Sequence, residues 1–447
     1  MDGVIVDTEP VHHYAYHQHF KQLNIEVTSE MYASFTGNST RNIFQKLKEQ
    51  FSWTRVKLIK NTFSKIFAYT VFAEPDSVFN IYGIDSYEKL KSIYDDGVGT
   101  SIKDPSNGLY RFVAYHIMPV KKVLEELYPE PMMTLCPNTL LDFDLENESL
   151  KYPADPYSNY VKCWNYWKSF ASSTFVLNRG TTTANTPGYI EFDYENKDNV
   201  AINGVYHELK QLLDINEHGE NGPLRLQKRL RFDVWSFIPE VTNNRMRKYS
   251  NSADYRTYFP QGYLSNVTFA EGCTLDYEYF QRYIWLYSDF MMVNGWYDFT
   301  ITTPPIPAGT WEIRYEWNVN NNGVVLSQVF FDDEIQVVPY INKQGCAVNY
   351  YGWKHDMTTL AGNEEAIVQN DREMRNLGMM KAPLSAISQY YNAGRYDVSF
   401  LRKIVCTKTF DKMQRHTLRI KGLASALMGI DFIEFVPVDK IATEDKW

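Results

Sequence analysis

The sequence predicts an α+β region followed by an all-β sandwich or jelly roll, with a short, mostly helical fragment ahead of both. Three observations carry this. Residues 9–23 and 38–51 place apolar side chains at helical spacing. Residues 69–72 gather β-branched and aromatic side chains into a short strand that runs into a Pro-Asp turn. Beyond about residue 225, apolar and polar residues alternate in one segment after another.

The length of 447 residues exceeds what one core usually supports, so two or three domains are expected. With 45 basic and 54 acidic residues the formal charge is −9, and no basic stripe offsets it, which argues against a nucleic-acid partner. Aromatic residues make up 15% of the chain, with 33 Tyr and 10 Trp, a composition suited to β-rich and sugar-binding domains. No apolar run reaches the ~18 residues of a transmembrane span, and the N-terminus lacks the pattern of a signal peptide. As written, the chain would stay in the cytoplasm. Cys136, Cys163, Cys273, Cys346 and Cys406 are scattered without a C-x-x-C pair, so buried free thiols are expected rather than a zinc site or disulfide framework. No cofactor or metal is called for.

The chain opens MDGVIVDTEP. Pro10 sits near the first turn of a helix over 9–23 that turns Val11, Tyr14, Phe20 and Leu23 to one face. A second helix, capped by Asn38 or Ser39, carries Ile43, Leu47 and Phe51 inward. This stretch resembles the start of a haloacid-dehalogenase-like phosphatase of the β-phosphoglucomutase-like branch. The resemblance implies that Asp2 is the relic general acid/base and that Thr36, Gly37, Ser39 and Arg41 face a phosphosugar. The family's nucleophile would stand one residue before Met1, which implies an incomplete N-terminus. The likeness covers only residues 1–51, and the later phosphate-binding hydroxyl, Lys and metal-binding acidic pair have no counterpart downstream. No intact catalytic residue is therefore expected, and residues 1–51 read as an incomplete fragment dispensable for folding of the rest. His13 and His17 lie one helical turn apart, with His12 and His19 beside them; a solvated helix face competes with a metal site there and is favoured.

After WTRVKLIKNTFSKIF the segment AYTVFAEPDSVFNIYGI begins. Asp76 is placed to cap the helix that carries Phe79. LYRFVAYHIMP ends a helix at Tyr115-His116, and DNVAINGVYHELKQLL places Asn203-Gly204 in a tight turn, since both residues tolerate positive φ. Thr70, Val71, Phe72, Ala73, Asp76, Phe79, Tyr115, His116, Asn203 and Gly204 resemble, in order, the signatures of a fasciclin domain, here spanning 58–213. The resemblance implies an α+β fold and an adhesive role. Tyr115 and His116 read either as a contact pair or as buried fold signature, with burial favoured.

Residues 214–224, rich in Asp, Asn, Gly and Pro, read as a linker to a β-sandwich over 225–440. TWEIRYEWNV sends Trp311, Ile313, Tyr315, Trp317 and Val319 to one face and Glu312, Arg314, Glu316 and Asn318 to the other, an antiparallel strand with one wet face. RLRFDVWSF, GVVLSQVFFDDEIQVVP, RYDVSFLRKIVC, HTLRIKGL and GIDFIEFVPV supply further strands. PIPAGTWEIRYEW, HTLRIKGL and MGIDFIEFVPV resemble the ordered strands of carbohydrate-binding, malectin-like or galactose-binding-like jelly rolls. That likeness implies a glycan site, with Trp296, Tyr297, Tyr350, Tyr351 and Trp353 as candidate stacking platforms against the competing use of each in the core. The polar insertion over 341–377 is where a ligand loop would lie.

These readings make the chain a non-enzymatic adhesion or glycan-binding protein whose partner is a glycan or a surface protein. The alternative is an inactive sugar-phosphate phosphatase relative, resting on residues 1–51 alone. A fasciclin domain joined to a jelly roll resembles surface lipoproteins of Bacteroidetes, which implies a cell-surface or outer-membrane location.

Overall fold

In the computed structural model the described residues are 68–127, 130–136, 140–145, 175–177, 190–214, 227–244, 246, 256–279, 289–318, 325–343, 345–384, 386 and 394–444. The chain divides between Phe67 and Ala68 into two units, and every described residue belongs to the second. The phosphatase-like stretch with Asp2, Thr36, Gly37, Ser39, Arg41 and the four histidines lies outside the described residues, as does the 214–224 linker beyond Asp214.

The first part of this unit holds strands β1 (Tyr69–Ala73), β2 (Ile117–Met118), β3 (Pro131–Met133), β4 (Leu140–Leu145), β5 (Phe175–Leu177), β6 (Ile190–Glu191), β7 (Asn199–Ala201) and β8 (Gly204–Glu208). Helices α1 (Asp76–Ile81), α2 (Tyr87–Tyr94) and α3 (Gly108–Tyr115) follow β1. The strands make two sheets, β2-β1-β8-β7 and β3-β4-β5-β6. β1 and β8 run parallel with Tyr69 opposite Gly204.

Two turn expectations change here. Pro75, not Asp76, is the N-cap of α1; its extended backbone starts the helix without a side-chain cap, and Asp76 enters the first turn, where a carboxylate favours the helix dipole. The β7–β8 turn residues are Ile202 and Asn203, and neither these nor Gly204 takes a positive φ. Gly204 is needed for a different reason: a Cβ there would collide with the Tyr69 carbonyl oxygen of the parallel neighbour.

The second part is a two-sheet β-sandwich. Its strands are β9 (Leu230–Asp233), β10 (Arg256–Phe259), β11 (Val267–Phe269), β12 (Thr274–Tyr279), β13 (Asp289–Gly295), β14 (Asp298–Thr302), β15 (Gly309–Asn318), β16 (Val325–Phe331), β17 (Glu334–Asn342), β18 (Met379–Lys381), β19 (Phe400–Phe410), β20 (Thr417–Gly422) and β21 (Ala426–Pro437). The larger sheet runs β10-β12-β13-β21-β15-β19-β18, with β9 also paired to β21; the smaller runs β11-β14-β20-β16-β17. Within RLRFDVWSF only the first part is strand. Asp233 ends β9 and accepts a hydrogen bond from Trp235 N at 2.9 Å, opening α4 (Val234–Phe237), after which α5 (Pro239–Asn243) starts on a proline. Trp311, Ile313, Tyr315 and Trp317 of β15 are all fully buried between the sheets, in the same cluster as Val329 and Phe331 of β16 and Leu418 and Ile420 of β20.

The other face of β15 is not wet. Glu312, Arg314 and Glu316 are buried too, and Glu312 is met by the chain inserted between β17 and β18. That insertion is ordered as α6 (Cys346–Asn349) and α7 (Glu364–Asn376); α7 is capped by the Asn363 side chain and buries Ile367, Asn370 and Met374. The last described element is α8 (Ile441–Glu444). Arg375 of α7 reaches down to Glu312, with Nη2 2.6 Å from Oε2. A polar strand face can be buried at tolerable cost only when its charges are paired. Glu434 accepts from Arg231 (3.0 and 2.9 Å), Arg402 (2.9 Å) and Arg314 (3.3 Å).

Candidate functional site

The fasciclin-signature residues serve the fold of the first part. Thr70 Oγ1 donates to the Val120 carbonyl at 2.7 Å and accepts from Lys122 N at 2.9 Å. Val71, Phe72 and Ala73 continue β1, Phe72 meeting Phe192 edge-on at 5.9 Å, and Phe79 is buried on α1. Asn203 gives its carbonyl to Tyr69 N at 3.0 Å. Tyr115 is buried with its hydroxyl donating to the Leu140 carbonyl at 3.3 Å. His116 is buried with Nε2 3.0 Å from Glu74 Oε1 and Nδ1 2.7 Å from the Phe112 carbonyl oxygen. Burial opposes a charge on His116, but the Glu74 carboxylate outweighs it and raises the imidazole above its ordinary value. This is an internal ion pair.

The five candidate aromatics separate by exposure. Tyr297 is fully buried, its hydroxyl 2.7 Å from Ser327 Oγ. Tyr351 is buried, its hydroxyl donating to the Ile341 carbonyl and accepting from Ile341 N, each at 2.9 Å. Trp353 is buried edge-on to His355 at 5.9 Å. These three are corrected from ligand platforms to packing residues. Tyr350 is exposed at the end of α6, and Trp296 is 67% exposed between β13 and β14.

Around Trp296 the smaller sheet presents an ordered outer face. Along β14, Phe299 and Ile301 are buried in the core, so Asp298, Thr300 and Thr302 point outward by strand alternation, and Trp296 in the bend just before the strand is exposed. On β20 the outward set is Thr417, Arg419, Lys421 and, just past the strand, Leu423; on β16 it is Leu326, Gln328 and Phe330. Register stacks these into rows. Asp298 pairs with Lys421 and Lys421 with Gln328; Thr300 pairs with Arg419 and Arg419 with Phe330. One step beyond, Gly422 N donates to the Tyr297 carbonyl at 2.7 Å and Leu423 N to the Leu326 carbonyl at 2.8 Å, which sets Trp296, Leu423 and Leu326 in a terminal row. Leu423 is 46% exposed and Leu326 40%.

The rows have fixed chemistry. The indole stands on a rigid base, because Tyr297 beneath it is held by Ser327 and Gly422, and the Trp296 carbonyl accepts from Cys273 Sγ at 3.2 Å. Asp298 is gripped by Arg419 through two parallel bonds, Nε to Oδ1 at 2.7 Å and Nη2 to Oδ2 at 2.6 Å. Those bonds, more than the nearby charges, hold the Asp298 carboxyl below its ordinary value. The Arg419 guanidinium in turn lies 5.0 Å from the Phe330 ring centroid. The result is an apolar row ending in an exposed indole at the strand ends, beside a row of charged and amide groups on the strands.

Of this face the sequence singled out Trp296 alone. Alternation in WYDFTIT and HTLRIKGL separates outward from inward residues; the cross-strand register that aligns them is set by pairings between distant segments.

A separate recess of about 250 Å³ lies at the far end of the sandwich, lined by Asp332, Glu334, Lys408, Phe410, Asp411 and His416 among others. His416 stacks against Phe410 (3.8 Å) and also meets Phe331 (5.3 Å), with Nδ1 2.6 Å from Asp332 Oδ2. No group of three or more His, Cys, Asp or Glu residues suited to a metal occurs among the described residues. None of the described helices is long and apolar enough to cross a membrane.

No family model matches the chain and no curated protein matches it, so the fasciclin and haloacid-dehalogenase resemblances rest on their short motifs. Among solved structures, the chain is similar to the CBM22-1 xylan-binding domain of Paenibacillus barcinonensis Xyn10C, at 10% identity and TM-score 0.21, covering 41% of this chain and 94% of that domain. It is also similar to a GH115 glucuronidase with specificity for decorated arabinogalactans (15% identity, TM-score 0.18, 34% of this chain and 15% of that one). A third is the insecticidal crystal protein Cry2Aa, at 9% identity and TM-score 0.21, covering 42% of this chain and 22% of the other. Likenesses this slight carry no argument about function.

Proposed function

We propose that the protein is a non-enzymatic glycan-binding protein and that the outer face of the β14-β20-β16 strands is its binding surface. The observation that carries this is Trp296, an indole 67% exposed yet mounted on a fully buried and hydrogen-bonded Tyr297. Exposing so large an apolar ring forgoes burial energy, and its rigid mounting lowers the entropy cost of binding. A pyranose has one face of C–H groups and a rim of hydroxyls. The C–H face suits the indole with Leu423 and Leu326, and the hydroxyls suit the polar row of Asp298, Lys421 and Gln328 one step along the strands.

Display at a cell surface and an adhesive role belong to the same reading and rest on the fasciclin motifs. Affinity electrophoresis of the full chain through gels containing soluble plant, fungal and bacterial polysaccharides tests it. At least one polymer is expected to retard the protein, and Trp296→Ala to weaken that retardation about tenfold or more, as loss of an aromatic anchor does. Unretarded migration through the whole panel refutes the proposal.

A further inference from the structure

Within the binding face, Lys421 and Asp298 form only a long ion pair. Each Asp298 oxygen accepts one hydrogen bond from Arg419, whereas the Lys421 ammonium stands 3.9 Å from Asp298 Oδ2, an ion pair without a hydrogen bond. Two other carboxylates are near the face. Asp333, in the β16–β17 turn, acts electrostatically on Arg419, and Glu271 is exposed in the β11–β12 turn; neither forms an ion pair with Lys421 among the described residues. The Lys421 side chain is 46% exposed, and none of its three donors is hydrogen-bonded to Asp298 at that distance. In a chain of formal charge −9 this is a half-exposed cation at a fixed register position that shares its one ion-pair carboxylate with Arg419. It lies two residues along the strand from the Leu423 row, about 7 Å. That places the ammonium beside a ring stacked on Trp296.

We infer that the glycan bound here is anionic, carrying a uronic-acid carboxylate or a sulfate that pairs with Lys421. The inference rests on the glycan-binding reading above and adds the ligand's charge. Arg419 positions rather than binds: its two bonds hold the Asp298 carboxylate that Lys421 meets only at 3.9 Å. A solvated surface lysine with no role would show no preference between charged and uncharged forms of one polymer.

The test compares matched pairs with the full chain: polygalacturonate against its fully methyl-esterified form, and a sulfated galactan against the same galactan desulfated. The acid or sulfated member is expected to bind about tenfold more tightly, with the margin shrinking as ionic strength rises. The pair that shows the margin identifies carboxylate or sulfate as the source. Lys421→Gln is expected to erase the margin and Lys421→Arg to keep it, with melting temperatures matching the wild type. Equal binding of charged and uncharged members overturns this inference while leaving the glycan reading intact. Failure of all four polymers, with neutral xylan or laminarin still bound, also overturns it. Failure of every polymer removes the glycan reading as well.

Discussion

Glu434 and Glu316 are both fully buried on the larger sheet, and their surroundings drive them to opposite states. Burial works against ionised Glu434, but Arg402, Arg231 and Arg314 outweigh it and hold the carboxyl well below its ordinary range. Glu434→Gln leaves those guanidinium groups short of a counter-charge, and a loss of about 3–5 kcal/mol is expected in denaturant titration. Burial instead pushes Glu316 up to about 8 from an ordinary 4.5, only partly offset by Arg402 and Arg231. The folded protein thus keeps Glu316 protonated where an unfolded chain ionises it. Its contribution to stability is full below about pH 4.5, declines by at most about 1.4 kcal/mol per pH unit through that window, and is gone above about pH 8. Glu316→Gln is expected to flatten the decline in melting temperature between pH 5 and pH 8; an unchanged profile would show that the carboxyl is ionised in the folded state. The alternation around Glu312, Arg314 and Glu316 was legible in the sequence. Their burial was not, since alternation gives the two faces of a strand but not what later covers one of them.

At the scale of elements, the β14–β20 junction controls the site. Gly422 lies against the Tyr297 ring, and a Cβ on it would sit 2.7 Å from Tyr297 Cζ. Gly422→Ala is therefore expected to displace Tyr297, cost about 1–3 kcal/mol, and weaken glycan binding through the strap that carries Trp296. A variant that loses stability but keeps full affinity would show that the strap does not orient the indole. Gly204→Ala is expected to be comparably destabilising with no effect on binding, because its clash is with Tyr69 in the first part of the unit. Strands β15, β20 and β21 were legible from alternation. The insertion read as a ligand loop is instead helical at α6 and α7, and packs with buried Cys346, Ala347 and Met374. Its polar composition is explained by the charged layer it covers, where Lys381 Nζ bonds Asp356 Oδ1 at 2.5 Å and Arg395 bonds Asp371 at 2.6 Å.

At the scale of the molecule, residues 68–214 and the sandwich are joined by buried polar contacts. Lys122 is fully buried, 4.2 Å from the Trp235 ring centroid and 3.7 Å from Glu130, which also accepts from Ser236. Asn243 accepts from Lys121 N at 2.9 Å and donates to the Pro119 carbonyl at 3.3 Å. Calorimetry is expected to show the two parts melting in one transition, and Lys122→Met to lower it as a whole; two separated transitions would show that these contacts do not couple them. The alternating strands made the sandwich legible; this joint was not, because it pairs residues more than a hundred positions apart whose types carry no pattern of their own.

Sugar binding at this face turns on the exposed indole of Trp296. Isothermal titration of the full chain with an oligosaccharide of the best-retained polymer, beside Trp296→Ala of matched melting temperature, measures what the indole contributes. Saturable binding that falls about tenfold or more in the variant is the expected result. Equal Kd values for the two proteins would contradict the claim and place any glycan site elsewhere on the molecule.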